Sequence, residues 1–258
     1  MTLLVRCSAI GRLMTEPRSK AEGQLSQGAK TAIRDIAAQD ILGIEFEFTS
    51  KEMEKGIECE PEAIALLNRV RGLTLTKNTE RRSNDWLTGE CDLFDATRRC
   101  GHDTKVAWSA STFPIIADDI GGSQRALYEW QMRGYLSLWD ADEWEVNYVL
   151  LSTPERLIGY ESQAVHFVDH IPEHMRLTTW TIKRDAKLEE AMFEKVRAAR
   201  EYYAQVIEEF ERQHRTTNIA LAKRPSAPVA ADMDAPWTLP ATTIAPSALP
   251  ADLFGGPA

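Results

Sequence analysis

Three charged residues near the middle of the chain could carry metal-assisted chemistry. Asp92 and Asp103 lie eleven positions apart, and Lys105 follows the second aspartate after one intervening residue. Alternate residues of a β-strand project from the same face, so Asp103 and Lys105 are expected to point together if this stretch is a strand. Two aspartates on neighbouring strands could then hold a cation, with the ammonium group of Lys105 beside it.

Oxygen ligands of this kind suit Mg²⁺, which is usually held by one or two carboxylates together with substrate phosphates. Hydrolysis of a phosphodiester also needs an aligned water and stabilisation of charge on the phosphoryl oxygens. Lys105 could orient the attacking water and offset the negative charge that develops on these oxygens. The plain alternative is an ion pair on a surface strand. The Gly-x-x-Asp sequence that begins at Gly89 and the apolar flanks favour a functional site, because charges on a half-buried strand are costly.

Two neighbouring segments could add polar groups to the same site. Glu60 lies four residues after Gly56, on a predicted helix just before the strands, although it could equally belong to a solvated acidic face. Gln131 and Tyr135 are four residues apart and would share one face of a later helix. The alternative for that pair is an amphipathic helix with one buried tyrosine.

The predicted elements that position these residues form an α/β (α+β) fold with one mixed sheet flanked by helices. Serines are expected to cap three N-terminal helices, and Gly43 and Gly72 to end the second and third. The predicted caps are Ser8, Ser26 and Ser50. The predicted strands cover residues 73–76, 85–96, 103–108, 144–151, 164–168 and 177–182, and the later helices cover 123–139 and about 185–213.

Composition divides the chain into a folded domain, residues 1–214, and a tail, residues 215–258. The tail is rich in Pro, Ala and Thr and lacks periodicity, so it is predicted to be disordered, with Trp237 and the Leu253–Phe254 pair as its isolated apolar points. No apolar run approaches the roughly 20 residues of a membrane span, and no secretory signal is recognised, which indicates a cytoplasmic protein.

The net charge of −9 argues against holding nucleic acid by bulk electrostatics, since phosphate contacts need clustered Lys and Arg. The four cysteines show no C-x-x-C pair and are interpreted as free thiols; a zinc or iron–sulfur site built on Cys91, Cys100 and His102 near Cys59 is disfavoured by its spacing. A zinc helix through His166, His170 and His174 is disfavoured because Pro172 interrupts it.

The order and spacing of the polar residues resemble the PD-(D/E)XK nucleases. The motifs are Glu60, Gly-x-x-Asp92, Asp103-x-Lys105 and Gln131-x-x-x-Tyr135, and the closest resemblance is to the lambda exonuclease and YqaJ-type phage recombination branch. The segment from Gly56 to Ala63 and the N-terminal Ser8 followed by Arg18 also fit, so the similarity covers about residues 5–213. The sequence departs from the pattern at Cys91, where many members have Pro, and at Asp103, where the lambda-type enzyme has Glu.

The resemblance implies a Mg²⁺-dependent exonuclease, with Mn²⁺ as the alternative metal. Such enzymes digest the 5′ strand of linear double-stranded DNA and leave a 3′ overhang for a recombinase or single-strand annealing protein. It also implies a homotrimeric ring threaded by DNA, which would let an acidic protein stay on its substrate, and a phage or prophage origin within a bacterial host cell.

The resemblance also assigns roles to individual residues. Asp92 and Asp103 would be metal ligands with the backbone carbonyl of Thr104, Glu60 would bind metal directly or through water, and Lys105 would position the attacking water. Gln131 would hold that water or the scissile phosphate, with Tyr135 supporting it. The candidates for the DNA 5′-phosphate are Ser8, Arg6 and Arg18. Two rivals remain: an endonuclease with the same metal site, and a non-catalytic recombination accessory protein.

Overall fold

The protein, seen in a computed structural model, is described over residues 2–46 and 49–222, apart from the side chains of Ser123 and residues 216–222. The described helices are α1 (Cys7–Leu13), α2 (Gln27–Leu42), α3 (Lys51–Arg71), α4 (Arg125–Trp139), α5 (Glu155–Ile158) and α6 (Ala186–Ala222). The described strands are β1 (Val5–Arg6), β2 (Arg81–Ser83), β3 (Leu87–Glu90), β4 (Leu93–Asp95), β5 (Cys100–Val106), β6 (Glu143–Val149) and β7 (Leu177–Lys183). The predicted α/β class with mixed sheets flanked by helices is confirmed.

The second and third helices begin and end at the predicted residues. The side chain of Ser26 accepts a hydrogen bond from the amide of Ala29, and that of Ser50 accepts one from Met53, so each satisfies a free amide of the first turn. Gly43 and Gly72 follow the two helices with φ of 65° and 64°, the left-handed conformation that glycine adopts without strain.

The strands form two sheets, where the sequence predicted one. The first has the order β1-β3-β2 and the second the order β4-β5-β6-β7, with β5 and β6 parallel and the other neighbours of the second sheet antiparallel. The break falls at Cys91 and Asp92, whose carbonyls accept hydrogen bonds from the side-chain amide and backbone N–H of Asn78. The chain therefore leaves one sheet and enters the next at a predicted site residue.

Three local predictions are wrong. Residues 73–76 form no strand, because Asn68 exchanges two hydrogen bonds with the backbone of Leu75 and so takes the place of a strand neighbour. Residues 164–168 contain a single 3₁₀ turn. Ser8 does not cap the first helix, since that helix already begins at Cys7.

The two faces of the second sheet pack against different helices. The largest apolar cluster joins buried residues of α1, α2, α4 and α6 with Trp144 and Val146 of β6, and α3 packs on the other face through Ala63, Leu66 and Val149. At Gly101 the backbone lies so close to Trp144 that an added Cβ would stand 2.4 Å from the indole ring. Asp103 pairs with Val146 in the parallel register and so faces the α4 side.

The last helix runs beyond the predicted end of the folded domain. It continues to Ala222, so residues 215–222, assigned from sequence to the tail, are helical. The rest of the predicted tail, with Trp237, Leu253 and Phe254, lies outside the described residues. No helix within the described residues is long and apolar enough to cross a membrane.

Candidate active site

Asp103 and Lys105 meet on one face of β5, as the strand pattern predicted. Lys105 Nζ lies 2.8 Å from Asp103 Oδ2, and the Asp103 side chain is only 4% exposed. Burial and, to a smaller extent, the neighbouring Asp92 raise the pKa of Asp103 to about 6, although Lys105 acts to lower it. Burial lowers the pKa of Lys105, but the carboxylates of Asp103 and Asp92 outweigh burial and raise it overall. Lys105 is therefore a permanent cation, and Asp103 is a carboxylate at neutral pH.

Asp92 lies at the gap between the two sheets and is tied to β5. One carboxylate oxygen, Oδ2, accepts hydrogen bonds from the backbone N–H and the hydroxyl of Thr104, at 2.8 and 3.2 Å. In the antiparallel register Leu93 pairs with His102, so the next residue back, Asp92, comes opposite Asp103. The two predicted metal ligands thus lie side by side, Asp92 just before β4 and Asp103 in the middle of the adjoining strand β5.

Glu60 reaches the same place from α3 and is joined to Asp92 through Lys77, a residue that belongs to none of the sequence motifs. Lys77 Nζ lies 2.5 Å from Glu60 Oε1 and 3.0 Å from Asp92 Oδ1. Burial lowers the pKa of Lys77, but these two carboxylates outweigh burial and raise it overall. Glu60 and Asp92 therefore direct one oxygen each at a common cation.

Gln131 and Tyr135 form the side of the site that belongs to α4. Gln131 Nε2 donates to the Tyr135 hydroxyl at 3.2 Å, and that hydroxyl donates to the carbonyl of Glu90 at 3.0 Å, two residues before Asp92. Burial raises the pKa of Tyr135, so its phenol stays protonated. Gly89 makes room for this ring, since an added Cβ would lie 2.8 Å from Tyr135 Cε1.

A cleft of about 730 Å³ opens beside these groups. Its wall includes Glu60, Asp92, Thr104 and Lys105, whereas Asp103, Gln131 and Tyr135 are not among the residues that line it. A second cavity of about 570 Å³ shares part of that wall and extends it past Trp108. Tyr128 lines both, with its ring centre 5.3 Å from Lys105 Nζ. Tyr128 lies seven residues before Tyr135, a spacing that places the two tyrosines on one helix face and could have revealed it from sequence.

Lys55 fixes the helix that carries Glu60 to the ends of two strands. Its side chain is buried, and Nζ donates hydrogen bonds of 2.7 to 2.9 Å to three backbone carbonyls, those of Ala107, Trp108 and Leu151. These carbonyls follow β5 and β6, so one ammonium group joins α3 to both central strands. No spacing rule in the sequence distinguishes Lys55 from the exposed lysines.

The predicted phosphate-binding residues lie apart from the acidic cleft. Arg6 pairs with Glu45 at 2.6 Å and lines a separate cavity of about 630 Å³. Ser8 is exposed in the first turn of α1, and Arg18 is exposed before the first 3₁₀ turn. Neither Ser8 nor Arg18 is among the residues that line the cleft.

Two groups of residues could hold a metal ion. Cys100, Glu143 and Glu145 place one ligand atom each within 4.8 Å of one another. Glu60, Asp92 and Asp103 also lie in the described part of the chain, but their ligand atoms are spaced more widely than this. Burial and the two glutamates raise the pKa of the Cys100 thiol to about 12, which keeps it protonated, and Arg71 already pairs with Glu145.

The group at Glu60 and Asp92 fits a divalent cation better. Its donors are hard carboxylate oxygens, the ligands that Mg²⁺ and Mn²⁺ prefer. Both side chains already contact one cationic nitrogen, that of Lys77, and both line the open cleft. The cluster at Cys100 is at the opposite end of β5 from Lys105.

Mixed sheets flanked by helices, with two aspartates and a lysine side by side at β5, define a nuclease fold of the PD-(D/E)XK type. No protein-family model matches the chain, and no curated protein matches it. A phage-related exonuclease from Haemophilus somnus 129PT is 40% identical, with 81% of this chain and 97% of that chain covered and a TM-score of 0.76. The chain belongs to this phage-related exonuclease family, which is consistent with the lambda exonuclease and YqaJ-like group predicted from the motifs.

A more distant structure shares the fold. The alkaline exonuclease LHK-Exo from Laribacter hongkongensis is 16% identical over 84% of this chain and 94% of that chain, with a TM-score of 0.58. The complex of LHK-Exo with dAMP gives 17% identity and a TM-score of 0.55. Both structures of LHK-Exo therefore have the same overall fold as this chain.

Proposed function

We propose that this nuclease is a Mg²⁺-dependent 5′→3′ exonuclease that acts on the ends of linear double-stranded DNA and leaves 3′ single-stranded overhangs. The observation that carries the proposal is the open cleft lined by Glu60, Asp92 and Lys105, with the buried Asp103 paired to Lys105, in a chain 40% identical to a phage-related exonuclease. Mn²⁺ is the alternative metal, since it prefers the same oxygen ligands.

In the proposed site, Asp92, Asp103, the backbone carbonyl of Thr104 and Glu60 hold the metal. A bound divalent cation would supply Lewis acidity at the scissile phosphate and would favour ionisation of the attacking water. Lys105, kept charged by Asp103, orients that water and offsets negative charge that develops on the phosphoryl oxygens. Gln131 and Tyr135 hold α4 in place beside the metal site, because Gln131 donates a hydrogen bond to the Tyr135 hydroxyl and that hydroxyl donates to the Glu90 carbonyl.

The residues that bind the DNA end are proposed from the similarity to the nuclease family. Ser8 and Arg18 are the candidates for the 5′-phosphate because both are exposed polar residues. Arg6 is a candidate only if it first leaves Glu45. A homotrimeric ring would keep a chain of net charge −9 on its substrate, and a recombinase or single-strand annealing protein would receive the overhang.

The test is digestion of linear duplex DNA that carries a 3′ fluorophore on a strand whose 5′ end has or lacks a phosphate, in Mg²⁺ or EDTA. The proposal expects the 3′-labelled strand to shorten progressively in Mg²⁺ only, and faster when its 5′-phosphate is present, whereas early release of the label as a short product would indicate digestion from the 3′ end. Covalently closed circular DNA should stay intact, whereas its cleavage would identify an endonuclease.

Lys105→Met provides the matched inactive variant. We expect it to cut at least about 100-fold more slowly, since charge stabilisation in the transition state is lost, while it still binds DNA. Lys187→Met removes the same charge from an exposed position on α6 and should cut at the wild-type rate. A wild-type protein that degrades no DNA in either metal would support an accessory role.

A further inference from the structure

We infer that Lys77 sets the metal affinity of this site by competing with the cation for Glu60 and Asp92. The inference rests on the proposed function, because it takes these two carboxylates to be metal ligands. Lys77 Nζ lies within 3.0 Å of an oxygen of each, so the ammonium group occupies the point on which both carboxylates converge. A divalent ion that binds both oxygens must displace it.

The charges at the site favour such an exchange. Glu60, Asp92 and Asp103 bring three negative charges, and Lys77 and Lys105 offset two of them, which leaves one net negative charge. When Lys77 withdraws, two negative charges remain, equal and opposite to the charge of a divalent cation. Lys105 cannot make this exchange as easily, because its partner Asp103 is only 4% exposed.

The surroundings of Lys77 let its side chain leave while its backbone stays. On one side, Leu75 is held by two hydrogen bonds with Asn68, and on the other, Asn78 donates to the carbonyls of Cys91 and Asp92. The Lys77 side chain itself is 38% exposed, so the ammonium can turn into solvent on its flexible stem. Removal of Lys77 therefore changes the charge of the site with little effect on its framework.

The experiment measures Mn²⁺ binding directly, by electron paramagnetic resonance of the free ion, in the absence of DNA. Four full-length proteins are compared: wild type, Lys77→Met, Lys187→Met and Asp92→Asn. We expect Lys77→Met to bind Mn²⁺ about tenfold more tightly than wild type, the equivalent of about 1.4 kcal/mol. Lys187→Met should match wild type, and Asp92→Asn should lose the site.

A second readout follows thermal unfolding in EDTA and in Mn²⁺. In EDTA, Lys77→Met should unfold at a lower temperature than Lys187→Met, because the carboxylates of Glu60 and Asp92 then repel each other. Mn²⁺ should raise the unfolding temperature of Lys77→Met by more than it raises that of wild type. Equal or weaker Mn²⁺ binding by Lys77→Met, at a site that Asp92→Asn still abolishes, would overturn the inference and leave the proposed metal centre intact. Absence of any binding sensitive to Asp92→Asn would overturn the metal centre itself.

Discussion

Thr104 donates both its backbone N–H and its hydroxyl to a single carboxylate oxygen of Asp92, which lies in the gap between the two sheets. These two bonds join a residue outside any strand to the centre of β5. They hold Asp92 beside Asp103, although no strand ladder includes Asp92. The distance between the two aspartates therefore depends on Thr104 as well as on the sheet.

Thr104→Val tests the hydroxyl while it keeps the shape of the side chain. The hydrogen bond from the backbone N–H to Asp92 remains, so we expect a modest loss: less than tenfold in nuclease rate and about 1 kcal/mol in the free energy of unfolding. Single-turnover digestion and urea denaturation measure the two effects. Thr181→Val, the same change at an exposed position of β7, is the control and should leave both quantities unchanged.

Lys55→Met should strongly lower the free energy of unfolding of the protein. The variant leaves three carbonyls without their donor, and such a loss costs about 3 kcal/mol. Urea denaturation measures the free energy of unfolding, with Lys187→Met as the matched control. If the two variants unfold at the same urea concentration, Lys55 does not anchor α3.

Gly89→Ala should disturb the Tyr135 side of the site. The new methyl group would meet the Tyr135 ring and the Cys7 sulfur, both within 3.0 Å, and overpacking of this kind costs about 1–3 kcal/mol. We expect a slower nuclease as well, because Tyr135 positions Gln131. Gly28→Ala is the control, since its methyl group would meet only atoms at 3.7 Å. Equal rates for the two variants would show that the ring position is irrelevant to catalysis.

Glu145→Gln tests a buried ion pair away from the proposed metal ligands. Burial raises the pKa of Glu145, but the hydrogen bond with His102 and the charge of Arg71 outweigh burial and lower it from 4.5. The unfolded chain therefore takes up a proton before the folded one does. The stability that this carboxylate contributes is fully present above about pH 4.5 and is lost as the pH falls through the lower, folded pKa.

At pH 7 we expect Glu145→Gln to lower the free energy of unfolding by about 1–3 kcal/mol. The difference from wild type should shrink as the pH falls below 4.5, and urea denaturation at pH 7 and pH 3.5 measures it. Glu190→Gln, which alters a surface pair with Arg197, should show a small and constant difference. If the difference in the free energy of unfolding between Glu145→Gln and wild type grew at acid pH, the pKa of Glu145 would not be lowered in the folded protein.

Short-range signals in the sequence predicted part of the fold and of the site. Ser26 and Gly43 bound a helix through contacts within a few residues, and the pairing of Asp103 with Lys105 follows from strand geometry alone. Lys77 could not be found in this way, because its partners lie 17 and 15 residues away and belong to a helix and to a sheet gap. Lys55 binds carbonyls up to 96 residues distant, which no local pattern encodes.

Irregular segments usually tolerate changes in length better than helices and strands do. The segment between Gly72 and Arg81 is an exception, because Asn78 holds the carbonyls on either side of the sheet break and Lys77 reaches two acidic side chains from the same stretch. One residue inserted or deleted there would move both contacts out of register at once. Relatives of this protein are accordingly expected to keep this connection at a fixed length, while they vary freely in loops that do not border the cleft.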